Sequence, residues 1–211
     1  MVSMIYLTLT VLAVFAVLLL SEIGYRKKLF VNELGRKLVH VLVGSFVAFW
    51  PHFLAWNQIR LLSLAFVLVV LVSLKFKVFR AIHSVQRATY GELCFALTVG
   101  LLTFMTQDKA IYAVALLQMS LADGFAAIFG NLYGKRNTYH IFGHGKSVVG
   151  TAAFIITSLT ILVGYSLLSG TQLAAPEIAI GVAVATLFEN VAPVGLDNLA
   201  VPLFIAWLLM L

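Results

Sequence analysis

Ala110-Ile-Tyr-Ala-Val-Ala-Leu-Leu-Gln-Met-Ser-Leu-Ala-Asp123-Gly-Phe-Ala126-Ala127-Ile-Phe-Gly130 is the stretch on which the fold turns. It is long and apolar enough for a helix crossing a ~30 Å hydrocarbon core, which takes about 20 residues. Yet it carries a carboxylate, and an Asp at the centre of a spanning helix costs at least ~2.5–3.5 kcal/mol on insertion scales. An anion kept at that depth needs a cation, a metal or a water-filled cavity. Ala126, Ala127, Gly130 and Gly134 follow at spacings of three and four. Such a small-residue stripe lets a second helix approach closely. Packing explains the stripe and leaves the Asp unexplained. Replacing Asp123 by Asn is expected to ease burial in the bilayer and to abolish activity without unfolding the chain.

Working outward, the same apolar character recurs along all 211 residues, of which 62% are hydrophobic and 10% charged. Soluble domains carry about 25% charged residues. Eight apolar runs, at roughly 4–20, 38–56, 59–75, 91–106, 110–130, 147–168, 176–191 and 198–211, predict one all-α polytopic membrane domain over 1–211 with about seven or eight spans. The first run lacks a basic leader and an Ala-x-Ala site, so it is expected to be a retained span. The lone Cys94 excludes an intrachain disulfide.

Twelve of the fourteen Lys and Arg fall on one side of this topology, between runs one and two, three and four, and five and six. Arg60 and Lys109 fall on the other. The positive-inside rule makes the twelve-residue side cytoplasmic and puts both termini outside, in a cell (inner) membrane or its equivalent. The net charge of +6 therefore flanks spans and forms no nucleic-acid patch; membrane lipids and phosphates are the expected partners. A homodimer is compatible with the sequence.

The polar residues on that side are the chemical candidates. Gly143-His-Gly145-Lys146-Ser147 sits in the polar loop after the Asp123 run. It is no P-loop, because position 140 is His where Gly is required and no parallel-sheet pattern surrounds it. Its glycines still allow backbone to approach an anion, Ser147 suits a helix N-cap, and Lys135, Arg136 and Lys146 supply positive charge. The bland alternative is a solvated, topology-setting loop. Glu189 and Asp197 lie eight residues apart across Pro193-Val-Gly195 at the cytoplasmic ends of two spans. Asp197 is also a natural N-cap. With Asp123 these carboxylates form a candidate Mg²⁺ set, since Mg²⁺ takes a few carboxylates plus nucleotide phosphates. Arg36, Lys37 and His40 open the second run. Arg87, Tyr90 and Glu92 lead into the fourth, where Glu92 also suits a helix N-terminus.

In order along the chain stand Arg36-Lys37-Leu-Val-His40, Arg87-x-x-Tyr90-Gly91-Glu92, Asp123-x-x-Ala126-x-x-x-Gly130-x-x-x-Gly134-Lys135, Gly145-Lys146-Ser147-x-x-Gly150-Thr151, and Glu189 with Asp197-Asn198-Leu-x-Val-Pro202. Together they resemble the CTP-dependent lipid-alcohol kinases: dolichol kinase, phytol and farnesol kinase, and the yeast-type diacylglycerol kinase. These are related to phosphatidate cytidylyltransferase. The resemblance implies CTP as phosphoryl donor, Mg²⁺, and a lipid alcohol such as phytol, a polyprenol or dolichol, or diacylglycerol as acceptor. On that basis Asp123, Glu189 and Asp197 are expected to be catalytic and metal-binding. Arg36, Lys37, Gly130, Gly134, Lys135, Gly145, Lys146, Ser147 and Asn198 are expected to bind nucleotide, with His40, Arg87 and Glu92 as further candidates. The competing readings are CMP transfer to a lipid phosphate and, from another class, a membrane transporter with Asp123 and Glu189 on its ion path.

Overall fold

The computed structural model describes residues 2–27, 33–76, 90–142, 144–193 and 195–211. Arg87 and Gly143 lie outside the described residues.

Hydrocarbon offers no partner for backbone N–H and C=O groups, so a chain this apolar must satisfy them within helices. Among the described residues eight helical rods result, one for each apolar run. They are α1 (Val2–Arg26), α2 (Glu33–Ala48), α3 (Trp56–Phe76), α4 (Gly91–Met105), a broken fifth rod, α7 (Val148–Leu168), α8 (Ala175–Val191) and α9 (Asp197–Leu209). The fifth rod is α5 (Lys109–Leu117), one π turn (Gln118–Ala122) and α6 (Asp123–Tyr133). Asp108 starts it by accepting hydrogen bonds from Ala110 N (2.7 Å) and Ile111 N (3.1 Å). Among the described residues, three helices are long and apolar enough to cross a membrane unaided: Trp56–Ser73, Lys109–Tyr133 and Val148–Leu168. Met4–Leu20, Gly91–Met105 and Asp197–Leu209 are shorter apolar helices.

The expected boundaries of the second run shift. The helix begins at Glu33, ahead of 38, and stops at Ala48. The remainder forms a 3₁₀ turn at Trp50–His52, where Pro51 removes a donor that a continuing helix would use. Arg36 and Lys37 therefore sit inside a helix, where their spacing to His40 places all three within one turn.

The fifth rod is the centre of the bundle. Its span Lys109–Tyr133 is 72% buried, against 22% for Trp56–Ser73 of α3 and 28% for Val148–Leu168. Tyr112, Leu116 and Met119 from this rod are fully enclosed, together with Leu102, Phe154, Leu162 and Ile205 of its neighbours. Apolar side chains such as Leu9, Leu12 and Phe15 of α1, Leu64 and Leu68 of α3, and Ile156 of α7 remain exposed. This is the surface a lipid-facing bundle presents.

The segment expected to be a plain loop after Asp123's run is instead a β-hairpin. Strand β1 (Thr138–Ile141) pairs antiparallel with β2 (His144–Ser147), with Tyr139 opposite Lys146 and His140 opposite Gly145. It feeds directly into α7.

Candidate active site

Six segments deliver polar groups to one end of the bundle: the first turns of α2, α7 and α9, the start of α4, α6 from Asp123 to Asn131 and the last turn of α8, with the hairpin beside them. They enclose an open-mouthed cavity of about 600 Å³. Arg60, near the start of α3, donates from its guanidinium to Thr103 Oγ1 (3.0 Å) and lies over the Phe104 ring, beside the C-terminal end of α4 and so at the opposite end of the bundle.

Of the residues expected from sequence, Arg36, Lys37, Asp123, Gly130, Gly134, Lys135, Gly145, Lys146, Ser147, Glu189, Asp197 and Asn198 all line this cavity. His40 and Glu92 do not. They line a second, apolar cavity beside it.

Two ion pairs organise the polar cavity. Lys37 Nζ donates to Asp123 Oδ2 at 2.5 Å, although the residues are 86 positions apart, and both side chains are about nine-tenths buried. Asp123 thus finds the cation its depth requires. This corrects the expectation that Asp123→Asn eases burial: removing the carboxylate would strand the Lys37 ammonium. Lys146 Nζ donates to Glu189 Oε1 (2.5 Å) and to the Glu189 carbonyl (2.7 Å). Burial alone would lower the Lys146 pKa, but the adjoining Glu189 carboxylate and its hydrogen bond outweigh it and hold the ammonium's pKa above the usual lysine value.

The π turn has a local use. It delivers the Met119 carbonyl to His40, whose Nε2 lies 3.2 Å away and 3.6 Å from Asp123 Oδ2. A carbonyl only accepts, so the hydrogen is on Nε2. π turns are frequent where a functional group interrupts a helix, and Asp123 is the residue immediately after this one.

Asp197 does not cap its helix. Leu196 occupies the N-cap position with no side-chain cap, and Asp197 is the first helical residue. Among the described residues its carboxylate has no hydrogen-bond or ion-pair partner, so the capping role expected from sequence gives way to one facing the cavity. The turn that places it depends on glycine. Gly195 has φ +91°, and a Cβ there would lie 2.5 Å from Gly91 Cα, so the α8–α9 connection seats directly on the start of α4. Ser147 does cap α7, accepting from Gly150 N at 3.0 Å. Gly150 in turn lets α7 meet α6, since a Cβ there would stand 2.8 Å from the Ala126 carbonyl. The small-residue stripe therefore both packs a helix and floors the cavity.

Among the described residues two buried acceptors in the cavity wall lack partners: Glu189 Oε2 and Asn198 Oδ1. Such atoms are costly unless a ligand or water completes them. Among the described residues no three His, Cys, Asp or Glu side chains gather as a ready metal cage. Two of the three candidate carboxylates already hold ammonium groups. The set suits Mg²⁺ in the manner of nucleotide sites, where one or two carboxylates share the ion with substrate phosphates and water.

Sequence reasoning missed Tyr139. Its hydroxyl donates to Asn190 Oδ1 (2.5 Å) and meets Thr151 Oγ1, tying the hairpin to α8 and α7. No sequence signal marks it, because its partners are brought close only by the fold. His140 and Asn131 also line the cavity without having been expected to.

Fold and cavity define a class: a polytopic helical membrane protein with a charged, open cavity at one end of its bundle. Over 203 residues the chain is 33% identical to phytol kinase of Synechocystis sp., covering 91% of this chain and 86% of that protein. No protein-family model and no solved structure matches it. The chain belongs to the CTP-dependent lipid-alcohol kinase family.

Proposed function

We propose that the protein phosphorylates a membrane lipid alcohol, of which phytol is the first candidate, using CTP and Mg²⁺ at the cytoplasmic face. The observation that carries this reading is the joint lining of one cavity by Lys37, Asp123, Lys146, Glu189 and Asp197 in a chain similar to phytol kinase. Phosphoryl transfer asks little covalent chemistry of a protein; positioning and charge neutralisation dominate.

Lys146 and Lys135, beside the N-terminus of α7, bind phosphate oxygens of the nucleotide. Glu189 holds Lys146 in place through Oε1 and keeps Oε2 open. Asp197 and Asp123 would hold Mg²⁺, with Glu189 as the third candidate. When bound, the ion neutralises the donor phosphates and polarises the terminal phosphorus. The acceptor hydroxyl oxygen forms a bond to that phosphorus and the bond to the bridging oxygen breaks, releasing CDP. The hydroxyl proton passes to Glu189, whose Oε2 has no partner among the described residues. Neutralisation by Lys37 keeps the Asp123 carboxylate tolerable beside the hydrocarbon.

The test supplies purified protein with CTP labelled on the terminal phosphate and a panel of phytol, polyprenol, dolichol and diacylglycerol. Label in the lipid with stoichiometric CDP is the expected result. Pyrophosphate release with phosphatidate, and no CDP with any alcohol, would overturn the proposal in favour of cytidylyl transfer.

A further inference from the structure

A second, narrow cavity of about 60 Å³ opens between α1, α2, α3 and α4. Its walls are apolar, with Val14 and Leu18 from α1, Val43 from α2, Phe66 from α3 and Phe95 from α4. Phe95 stands edge-on to both Phe66 (6.0 Å) and His40 (5.4 Å), which gives the cavity a rigid aromatic side.

The cavity is not isolated from the polar one. Arg36, Gly91 and Asn198 line both. His40 lines the apolar cavity while its Nε2 faces Asp123, which lines the polar one. At this junction sits an incomplete hydrogen-bonding group. Asn198 is 6% exposed. Its Nδ2 donates to the Gly91 carbonyl at 3.1 Å, which settles the amide orientation because a carbonyl cannot donate. Its Oδ1 is therefore the buried atom left without a partner. A neutral donor is what that oxygen lacks.

We infer that the apolar cavity is the acceptor site: it takes the hydroxyl-bearing end of the lipid alcohol, whose remaining chain stays in the bilayer, and Asn198 Oδ1 accepts a hydrogen bond from the alcohol hydroxyl at the junction with the nucleotide cavity. This rests on the kinase reading above and moves Asn198 from the nucleotide to the acceptor. An amide oxygen does not take the proton at neutral pH, so Asn198 binds and aims the hydroxyl while a carboxylate of the polar cavity receives its proton. A hydrocarbon without a hydroxyl leaves Oδ1 unpaired, and sites built around a hydroxyl reject analogues lacking it strongly.

The test is photolabelling of the full-length protein in bilayer discs by phytol bearing a diazirine on its chain, with the labelled peptides mapped by mass spectrometry. Label is expected around Val14, Val43 and Phe95, displaced by unlabelled phytol at least tenfold better than by phytane, the same hydrocarbon without the hydroxyl. Leu18→Trp, which fills the cavity from α1, is expected to raise the apparent KM for phytol at least tenfold and leave that for CTP unchanged. Asn198→Leu is expected to erase the preference for phytol over phytane. Labelling elsewhere, or equal displacement by phytane in the unsubstituted protein, overturns the acceptor site. Labelling needs no turnover, so its success without CDP release would reject the kinase reading alone. CDP release without labelling here would reject this site alone.

Discussion

Asp123→Asn is the most informative single change, because the fold makes it two experiments at once. The Asp123 carboxylate meets the Lys37 ammonium at 2.5 Å with both side chains about nine-tenths buried. At an effective dielectric constant of about 20 the attraction across that distance is about 7 kcal/mol. Desolvation offsets much of it, and losing one partner of such a pair costs about 3–5 kcal/mol, since the other charge stays buried. Asp123→Asn should therefore lower stability by that amount and cut turnover at least about a hundredfold, the scale of losing a group that stabilises transition-state charge. Lys37→Met combined with Asp123→Asn removes both charges and should recover most of the stability while activity stays lost. The single cysteine supplies the assay. Cys94 is buried in α4 and reacts with a fluorogenic maleimide only as the bundle opens. Wild-type stability in Asp123→Asn alone would show that the Lys37 pair does not form. Recovered turnover in the double variant would show that Asp123 serves only to neutralise Lys37, and its place in the chemistry would be lost.

Lys146→Met should raise the apparent KM for CTP and cost about 2–3 kcal/mol, less than the Lys37 pair because a quarter of the Lys146 side chain is exposed; an unchanged CTP dependence would remove Lys146 from the nucleotide site. The same pair has a pH signature. Since the folded pKa of Lys146 is raised, its contribution is complete below the unfolded value of about 10.4 and is lost as pH rises through the higher folded value, so a melting-temperature profile should show a loss confined to the alkaline range that Lys146→Met lacks. Gly150→Leu should force α7 from α6 and destabilise by about 1–3 kcal/mol, with cysteine reactivity at Cys94 rising in step; unaltered reactivity would contradict the close helix approach. Tyr139→Phe should cost about 1 kcal/mol and reduce turnover a fewfold, read as a loss in kcat. A cysteine placed at Arg136 in a Cys94→Ala background should resist an impermeant reagent applied to intact cells, and ready labelling would reverse the orientation expected from the basic residues.

The apolar runs and the helical rods of the described residues correspond because lipid permits only internally satisfied backbone, and that constraint is written in local hydropathy. For the same reason Asp123 was legible: a lone carboxylate in such a run is conspicuous without any partner being known. Lys146, Glu189 and Asp197 were legible as polar groups at the ends of spans. Their partners were not. Lys37 reaches Asp123 across 86 positions and Lys146 reaches Glu189 across 43, and no local pattern encodes which charges the packing of α2 on α6, or of the hairpin on α8, brings together. The hairpin escaped because two four-residue strands carry too little alternation to stand out, and its hold on the bundle is Tyr139's contact with Asn190. Asp197 looked like a cap because capping is judged from residue type, whereas the Gly195 turn starts the helix one residue earlier and turns the carboxylate to the cavity. The unpaired oxygen of Asn198 and the apolar cavity beside it exist only in three dimensions. They are set by which faces of α1, α2, α3 and α4 fail to close on one another, and hydrophobic attraction, being non-directional, leaves that choice to side-chain shape.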